Sequence, residues 1–412
     1  MIETRPLPIW AGRTAALLGI LLVALNLRTA VAAISPITAD IAKDIPLDSV
    51  SLGLLGALPP IAFAISGVLA PRVAHRIGLE TALLIASAAM LVGHLGRAFS
   101  GSYPMLLAGS VIVLAGMGFG NVLLPPAVKR YFPDRIGLVT TSYVTLLSFS
   151  TAVPAIVAAP LAAGSGWRVS LGVWAFFAVA AVIPWLVVKL QHRRDAKGAA
   201  GTDETPELAV APPAIVRGLW RSPVAWALAT IFAVSALSAY AMFAWLPEIL
   251  AQTAGLDAVS AGALLSLYGL IGLPAGLIVP ILAIRLRNVG IIVYVAVGCF
   301  VVGYVGLLIV PATGTILWVA LAGAGTLLFP LALVLINIRT RSPQASIALS
   351  GFVQSVGYAL GATGPLVVGI LHDATGGWTA ALIFLLVTSV ISVVAGLVLS
   401  KPVFLEDQLK SG

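Results

Sequence analysis

The chain has 412 residues, of which 60% are hydrophobic and 9% are charged. Soluble globular proteins carry about 25% charged residues, so this composition excludes a fully hydrated surface and indicates that most of the outer face contacts lipid. The net charge of +8 is spread along the chain rather than clustered, which argues against nucleic-acid binding. The single cysteine, Cys299, excludes an internal disulfide and a thiolate-rich metal site.

Apolar segments follow one another along the whole chain, each long enough to cross a bilayer with about 20 residues. We predict transmembrane spans at residues 14–38, 50–71, 80–99, 103–127, 137–162, 167–189, 223–249, 260–284, 288–310, 313–337, 344–370 and 377–400. The predicted fold is an all-α membrane protein with two six-helix halves, at residues 1–189 and 223–412. Residues 190–222 form a polar, Gly- and Ala-rich linker between them.

The positions of Lys and Arg predict the orientation of these spans. Only Lys43, Arg97 and Arg168 fall on the side opposite the termini and linker, and Arg28 lies inside the first span. Every other Lys and Arg falls on the side of the termini. The positive-inside rule therefore predicts that both termini and the linker lie in the cytoplasm, and that the protein is a multi-pass inner-membrane protein.

The two predicted halves repeat each other at matching positions. Gly67-Val-Leu-Ala-Pro71 corresponds to Gly276-Leu-Ile-Val-Pro280, each at the end of the second span of its half. Gly116-x-Gly118 and Pro125 correspond to Gly323-x-Gly325 and Pro330. Parallel six-helix repeats of this kind are typical of a large class of transporters, whose substrate site lies near the midplane between the halves.

With these features the chain resembles the major facilitator superfamily, whose loop between spans 2 and 3 carries a Gly-x-Leu-Ala-Asp-Arg-x-Gly-Arg pattern. In the segment Gly67-Val-Leu-Ala-Pro71-Arg72-Val-Ala-His75-Arg76 the Gly, Leu-Ala and Arg positions match, but Pro71 stands where the family usually has Asp. The segments Asn26-Leu-Arg28 and Asn121-Val-Leu-Leu-Pro125-Pro-Ala-Val-Lys129-Arg130 resemble the cyanate and 2-nitroimidazole transporter branch, although Thr29 stands where that branch has Pro. The resemblance implies transport by alternating access. It also suggests gating residues, at Gly67, Arg72, Arg76 and Arg285.

Arg28 is the most informative single residue. It lies about 14 residues, or about 20 Å, from either flank of its predicted span, and a charge at this depth costs about 3 kcal/mol or more. Every Asp and Glu falls in a loop, a tail or a helix end. An unpaired guanidinium facing a cavity between the halves would bind an anion with its planar donor fork. The alternative is a structural arginine bonded to backbone carbonyls.

Other polar residues near mid-depth are candidates for the cavity lining. With Arg28, the predicted substrate-binding residues are Asn26, Asn121, Tyr143, Tyr240, Trp245, Gln354 and Tyr358. Helix-to-helix hydrogen bonding is the alternative role for each of them. Proton coupling would need a titratable group with access to the cavity, for which Glu248, Asp40 and His94 are the candidates.

We therefore predict a secondary or facilitative transporter of a small polar anion, cyanate-like or nitroimidazole-like, that works as a monomer. It is not an enzyme and needs no cofactor or metal, because the chain has no Walker A, HExxH or Gly-x-Ser-x-Gly sequence. Proton symport, exchange for a counter-anion and facilitated diffusion stay open. The alternatives are a multidrug-type exporter of lipophilic compounds and a membrane sensor that does not transport.

Overall fold

The computed structural model describes residues 13–196 and 218–410. Within them, twelve helices are long and apolar enough to cross a membrane: Thr14–Ala32, Ser49–Ile77, Leu79–Ala98, Tyr103–Val128, Leu138–Ser165, Trp167–Gln191, Pro223–Ala254, Ala258–Arg285, Gly290–Ile309, Thr315–Ile338, Ala348–Thr375 and Thr379–Leu399. We number them spans 1 to 12. All-helical structure follows from the apolar sequence, since a helix pairs its own backbone groups where no water can. The predicted fold class and spans are confirmed, with ends that differ by a few residues.

The outer limits of the two halves stay a prediction, and most of the linker, residues 197–217, lies outside the described part of the chain. We call the end of the bundle where span 6 ends and span 7 begins the linker end, and the opposite end the far end. A short helix, Leu405–Lys410, follows span 12 at the linker end, where Asp407 pairs with Arg341 at 2.6 Å.

Five of the described spans are interrupted rather than straight, among them span 6, which consists of Trp167–Gly172 and Ala175–Ala196. Span 8 consists of Ala258–Leu270 and Gly272–Arg285, span 10 of Thr315–Gly325 and Leu328–Ile338, and span 11 of Pro343–Gly361 and Thr363–Thr375. Span 1 consists of Thr14–Asn26 and Thr29–Ala32, and leads into short helical turns at Ser35–Ile37 and Thr38–Ala42. The prediction of one continuous first span over residues 14–38 is therefore wrong in this detail.

Side chains explain how span 1 can break at Leu27 and Arg28 without a proline. The hydroxyl of Thr29 donates to the carbonyl of Asn26 at 3.0 Å, and Arg97 of span 3 donates to the carbonyl of Ala30 at 3.1 Å. These donors supply hydrogen bonds that the interrupted helix no longer makes. The break turns Arg28 away from the regular helical direction.

The two halves contact each other at the far end. A Cβ added to Gly56 of span 2 would lie 2.7 Å from Ala244 of span 7 and 2.8 Å from Pro365 of span 11. A second contact at the far end joins span 8 to span 5. There a Cβ on Gly262 of span 8 would lie 2.5 Å from the carbonyl of Ala155 in span 5. Glycine is required at these positions because the backbones approach too closely for any side chain.

The matching glycines near the linker end show no such close approach. A Cβ on Gly67 of span 2 or on Gly276 of span 8 would meet no atom within 4 Å. Spans 2 and 8 therefore touch the opposite half near their far ends and leave space near their linker ends. The cavity between the halves is closed at the far end.

We expect Gly56→Val to hold the far end apart, because its branched side chain overlaps Ala244 and Pro365. Spin labels on Lys43→Cys and Ala374→Cys, both exposed at the far end on opposite halves, would report the separation in a Cys299→Ser background. Their distance should lengthen by several ångströms, as measured by double electron–electron resonance. Gly67→Val, in the same span but facing open space, is the matched control and should leave the distance unchanged. Equal distances in both variants would contradict this description of the closed end.

Candidate functional site

Arg28 lies at the break in span 1, partly buried and close to the contact between the halves. Its guanidinium carbon lies 4.7 Å from the centre of the Phe63 ring in span 2, a cation–π contact. Its one hydrogen bond within the described residues is a long one, 3.3 Å from Nη1 to the carbonyl of Leu27. No described carboxylate forms an ion pair with it. Most of the donors on its planar fork therefore have no protein acceptor.

Aromatic side chains connect Arg28 to the second half. The Phe63 ring meets Tyr358 of span 11 edge-on at 6.2 Å, and Tyr358 in turn lies 6.5 Å from Tyr240 of span 7. Arg28 is near enough to both tyrosines to interact with them electrostatically. The site thus combines one cation with two buried phenol groups that can donate or accept hydrogen bonds. A ligand bound here would contact both halves at once.

The amide residues predicted for the site lie at different positions around it. Asn26 is fully buried and turns back to donate to the carbonyl of Leu22 at 2.8 Å, while its Oδ1 has no hydrogen-bond partner. Asn121 of span 4 is partly buried and forms no hydrogen bond within the described residues. It follows Gly120, where a Cβ would lie 2.8 Å from Leu27. Asn121 is therefore at the depth of the break.

The remaining predicted binding residues differ in what they contact. Gln354 of span 11 donates to Ser350 one turn earlier at 2.8 Å, and Tyr143 of span 5 is partly buried. Trp245 of span 7 is buried, donates to the carbonyl of Pro365 at 2.8 Å and packs on Trp378 at 5.5 Å. Its contacts are within the second half toward the far end. A direct role for these three residues in binding stays a prediction.

The three coupling candidates lie in three different environments. Asp40 pairs with Lys43 at 2.6 Å at the exposed far end. His94 of span 3 is fully buried, with its Nε2 3.3 Å from the hydroxyl of Thr29 at the break in span 1. Glu248 of span 7 is partly buried and accepts from Gln252 at 3.1 Å. None of the three contacts Arg28, and their role in coupling stays a prediction.

The residues predicted to act in gating surround the open linker end. Arg72, Arg76 and Arg285 are exposed at the ends of spans 2 and 8, and Arg72 donates only to the carbonyl of Val68 in its own helix, at 3.0 Å. The helix of span 2 runs unbroken past Pro71 to Ile77. The described residues therefore contain no ion pair that closes the linker end through these arginines.

A charge network within the first half occupies the same end. Arg13 donates to Asp134 at 2.6 Å and to the carbonyl of Tyr131 at 2.9 Å, and the hydroxyl of Tyr131 donates to Glu80 at 2.5 Å. The hydrogen bond from Arg13 holds the pKa of the Asp134 carboxyl below its usual range. The network ties the linker ends of spans 1, 3 and 4 together. Sequence reasoning missed the role of Glu80 in this network, because an acidic residue in the first turn of a helix is usually exposed to solvent.

Arg97 and Phe63 are the other residues that sequence reasoning missed. Arg97 was counted among the basic residues of the far side, yet it is only 1% exposed. Its position in the last turn of span 3 gave no signal of this, because a long basic side chain there normally reaches out to the interface. Phe63 is one apolar residue among many in span 2. Only its contact with Arg28 distinguishes it.

We expect Arg28→Met to raise the apparent Tm of the purified protein, because it removes an unpaired charge from the membrane interior while keeping side-chain volume. The gain should be about 1–3 kcal/mol. Arg339→Met is the matched control: Arg339 is also buried but donates to the carbonyl of Leu399 at the end of span 12, at 2.8 Å. Its loss should lower the Tm. A lower Tm for Arg28→Met as well would favour a structural arginine at this position.

Comparison with known proteins agrees with this architecture. The profile of the Major Facilitator Superfamily matches residues 16–362. The chain is 34% identical to the 2-nitroimidazole transporter of Escherichia coli (strain K12), covering 92% of this chain and 93% of that protein. It is 26% identical to the cyanate transport protein CynX of the same organism, covering 88% and 91%.

A solved structure shares the fold at low sequence identity. The crystal structure of a bacterial homolog to the human lysosomal transporter Spinster, in an inward-facing and unoccupied conformation, superposes with a TM-score of 0.76 at 14% identity, covering 97% of this chain and 98% of that one. Together with twelve apolar helices and the matched profile, these similarities define a multi-pass membrane protein. The chain belongs to the Major Facilitator Superfamily.

Proposed function

We propose that this transporter carries a small, polar anion across the bacterial inner membrane by alternating access, and that the anion binds Arg28 between the halves. The observation that carries the proposal is the guanidinium itself. It is partly buried at a break in span 1 and makes a cation–π contact with the Phe63 ring. It has no carboxylate partner among the described residues. A planar donor fork with free N–H groups matches carboxylate-like and cyanate-like anions.

Keeping an unpaired charge at this depth is costly, so something must offset it. A bound anion would offset the cost of the unpaired charge only while it is bound, as expected for a carrier that releases its solute. Tyr240 and Tyr358 would supply neutral hydrogen-bond donors to the same ligand from the second half. Because these tyrosines and Arg28 belong to opposite halves, ligand binding would be coupled to the approach of the halves, as alternating access requires.

The relatives support this solute class. One is named as a transporter of 2-nitroimidazole, a flat heterocycle with a nitro group, and the other as a transporter of cyanate, a small linear anion. Both solutes present electron-rich oxygen or nitrogen atoms that a guanidinium can bind. The distribution of Lys and Arg favours a cytoplasmic linker end, in which case the open cavity faces the cytoplasm. We propose that the carrier acts as a monomer.

The test is a thermal-shift titration of the purified protein with sodium cyanate, sodium nitrate and 2-nitroimidazole at constant ionic strength. At least one compound should raise the apparent Tm, because a ligand at about 100 times its Kd stabilises the folded state by about 2.7 kcal/mol. Arg28→Gln should reduce that shift, since the amide keeps polarity but loses the charge and the fork that bind the anion at the central site. Uptake of the same compound into proteoliposomes should fall to the level of empty vesicles.

Arg28→Lys and Arg339→Gln are the controls. Lysine keeps the charge without the fork and should weaken binding, whereas Arg339→Gln lies outside the cavity and should bind as the wild type does. Stabilisation by lipophilic cations alone, unchanged in Arg28→Gln, would refute the anion proposal and favour the multidrug alternative. The absence of transport for every solute would favour a sensor.

A further inference from the structure

A cavity lies between the halves, on the far-end side of Tyr240. The first half lines it with Ser35 of the turn after span 1, Gly56 of span 2, Arg97 of span 3 and Ser110 of span 4. The second half contributes Tyr240 and Ala244 of span 7. Gly56 and Ala244 are also the residues that touch where the far end is closed. The cavity therefore lies directly beneath the closed contact, and separation of the halves there would open it.

Arg97 brings a second uncompensated charge to this cavity. It is 1% exposed, and its one side-chain hydrogen bond within the described residues runs from Nη1 to the carbonyl of Ala30, at 3.1 Å. Its Nε is buried without a hydrogen-bond partner, and no described carboxylate forms an ion pair with it. Asp44, near the same end, is instead engaged by Arg168 and by the indole of Trp167. Most of the guanidinium N–H groups of Arg97 therefore have no acceptor within the described residues.

Ser35 provides a second, independent indication that this cavity is a ligand site. Its hydroxyl is buried in the same cavity and has no hydrogen-bond partner within the described residues. A buried hydroxyl without a partner loses its hydrogen bonds to water and gains none in return, so native proteins rarely keep one without a reason. Ser110, whose hydroxyl already donates to the carbonyl of Leu106 at 2.8 Å, lines the wall beside it.

We propose that Arg97 and Ser35 form a second anion site, on the far-end side of Tyr240, that takes the same class of small anion as Arg28. The inference rests on the proposed function, because it assigns both arginines to one path for one solute. Tyr240 lines this cavity and also packs against Tyr358 of the Arg28 cluster, so it forms the wall between the two sites. A solute arriving from the far end would reach Arg97 first and pass Tyr240 to reach Arg28.

The experiment places a reporter thiol in the cavity. In a Cys299→Ser background, Ser110→Cys introduces a single thiol, and the purified carrier in detergent is treated with methyl methanethiosulfonate, a small uncharged reagent. Sodium nitrate, an inert planar anion, is the probe, and sodium gluconate at equal ionic strength is the reference. We expect nitrate at about ten times its Kd to slow the labelling about tenfold, measured by mass spectrometry.

Three arginine variants of the reporter protein assign the effect. Arg97→Gln should abolish protection, because the amide is a neutral donor and presents no cationic fork. Arg28→Gln should leave it in place, and so should Arg339→Gln, a buried arginine outside the cavity. Loss of protection in Arg28→Gln would overturn the second site, since the effect would then arise from the central one.

Two further outcomes would also overturn the proposal, and neither needs an arginine variant to fold. One is labelling of the reporter thiol at the same rate with nitrate and gluconate. The other is a thiol that never reacts, which would mean that no solute reaches the cavity. The two proposals fail separately: protection of the reporter that depends on Arg97, in a protein without an Arg28-dependent thermal shift, would refute the central site and retain the outer one.

Discussion

The break in span 1 is the feature on which the site depends. In a bilayer each unpaired backbone group costs several kcal/mol, so a broken helix persists only where other donors replace its lost hydrogen bonds. Thr29 supplies one for the carbonyl of Asn26, and Arg97 supplies one for the carbonyl of Ala30. Because these two residues stabilise the broken backbone, Arg28 is not needed for that purpose. It keeps a single long bond to Leu27 and a ring contact with Phe63.

The forces within each half differ from those between the halves. Ion pairs such as Arg13–Asp134, Arg168–Asp44 and Arg341–Asp407 each join residues of one half. The contact between the halves at the far end involves Gly56 against Ala244 and Pro365, and Gly262 against Ala155. Such contacts gain only dispersion energy from close approach, about 0.1–0.2 kcal/mol for each atom pair. Two rigid bodies joined by a surface of this kind can separate without breaking a charged bond.

Sequence reasoning found what depends on composition and missed what depends on packing. Twelve apolar stretches and the pattern of basic residues gave the spans, and a charge in the middle of one of them identified Arg28. The break in span 1 has no local signal, because the segment Asn26-Leu-Arg-Thr-Ala30 contains neither Gly nor Pro. Part of its hydrogen bonding comes from a donor in span 3. The burial of Arg97 is equally non-local, since it results from spans 1 and 4 packing over the last turn of its helix.

In the proposed path, Arg28 and Arg97 would each lower the cost of holding an anion in the membrane interior. A bare anion in the membrane interior would face the same desolvation cost as any buried ion, and a single distant cation could lower that cost only locally. Arg97 lies beneath the far-end contact and Arg28 at the break in span 1, with Tyr240 contacting the surroundings of both. Since Arg97 also stabilises the break that frees Arg28, removing its whole side chain would disturb both sites. A glutamine removes the charge and retains a neutral donor, whereas alanine removes both.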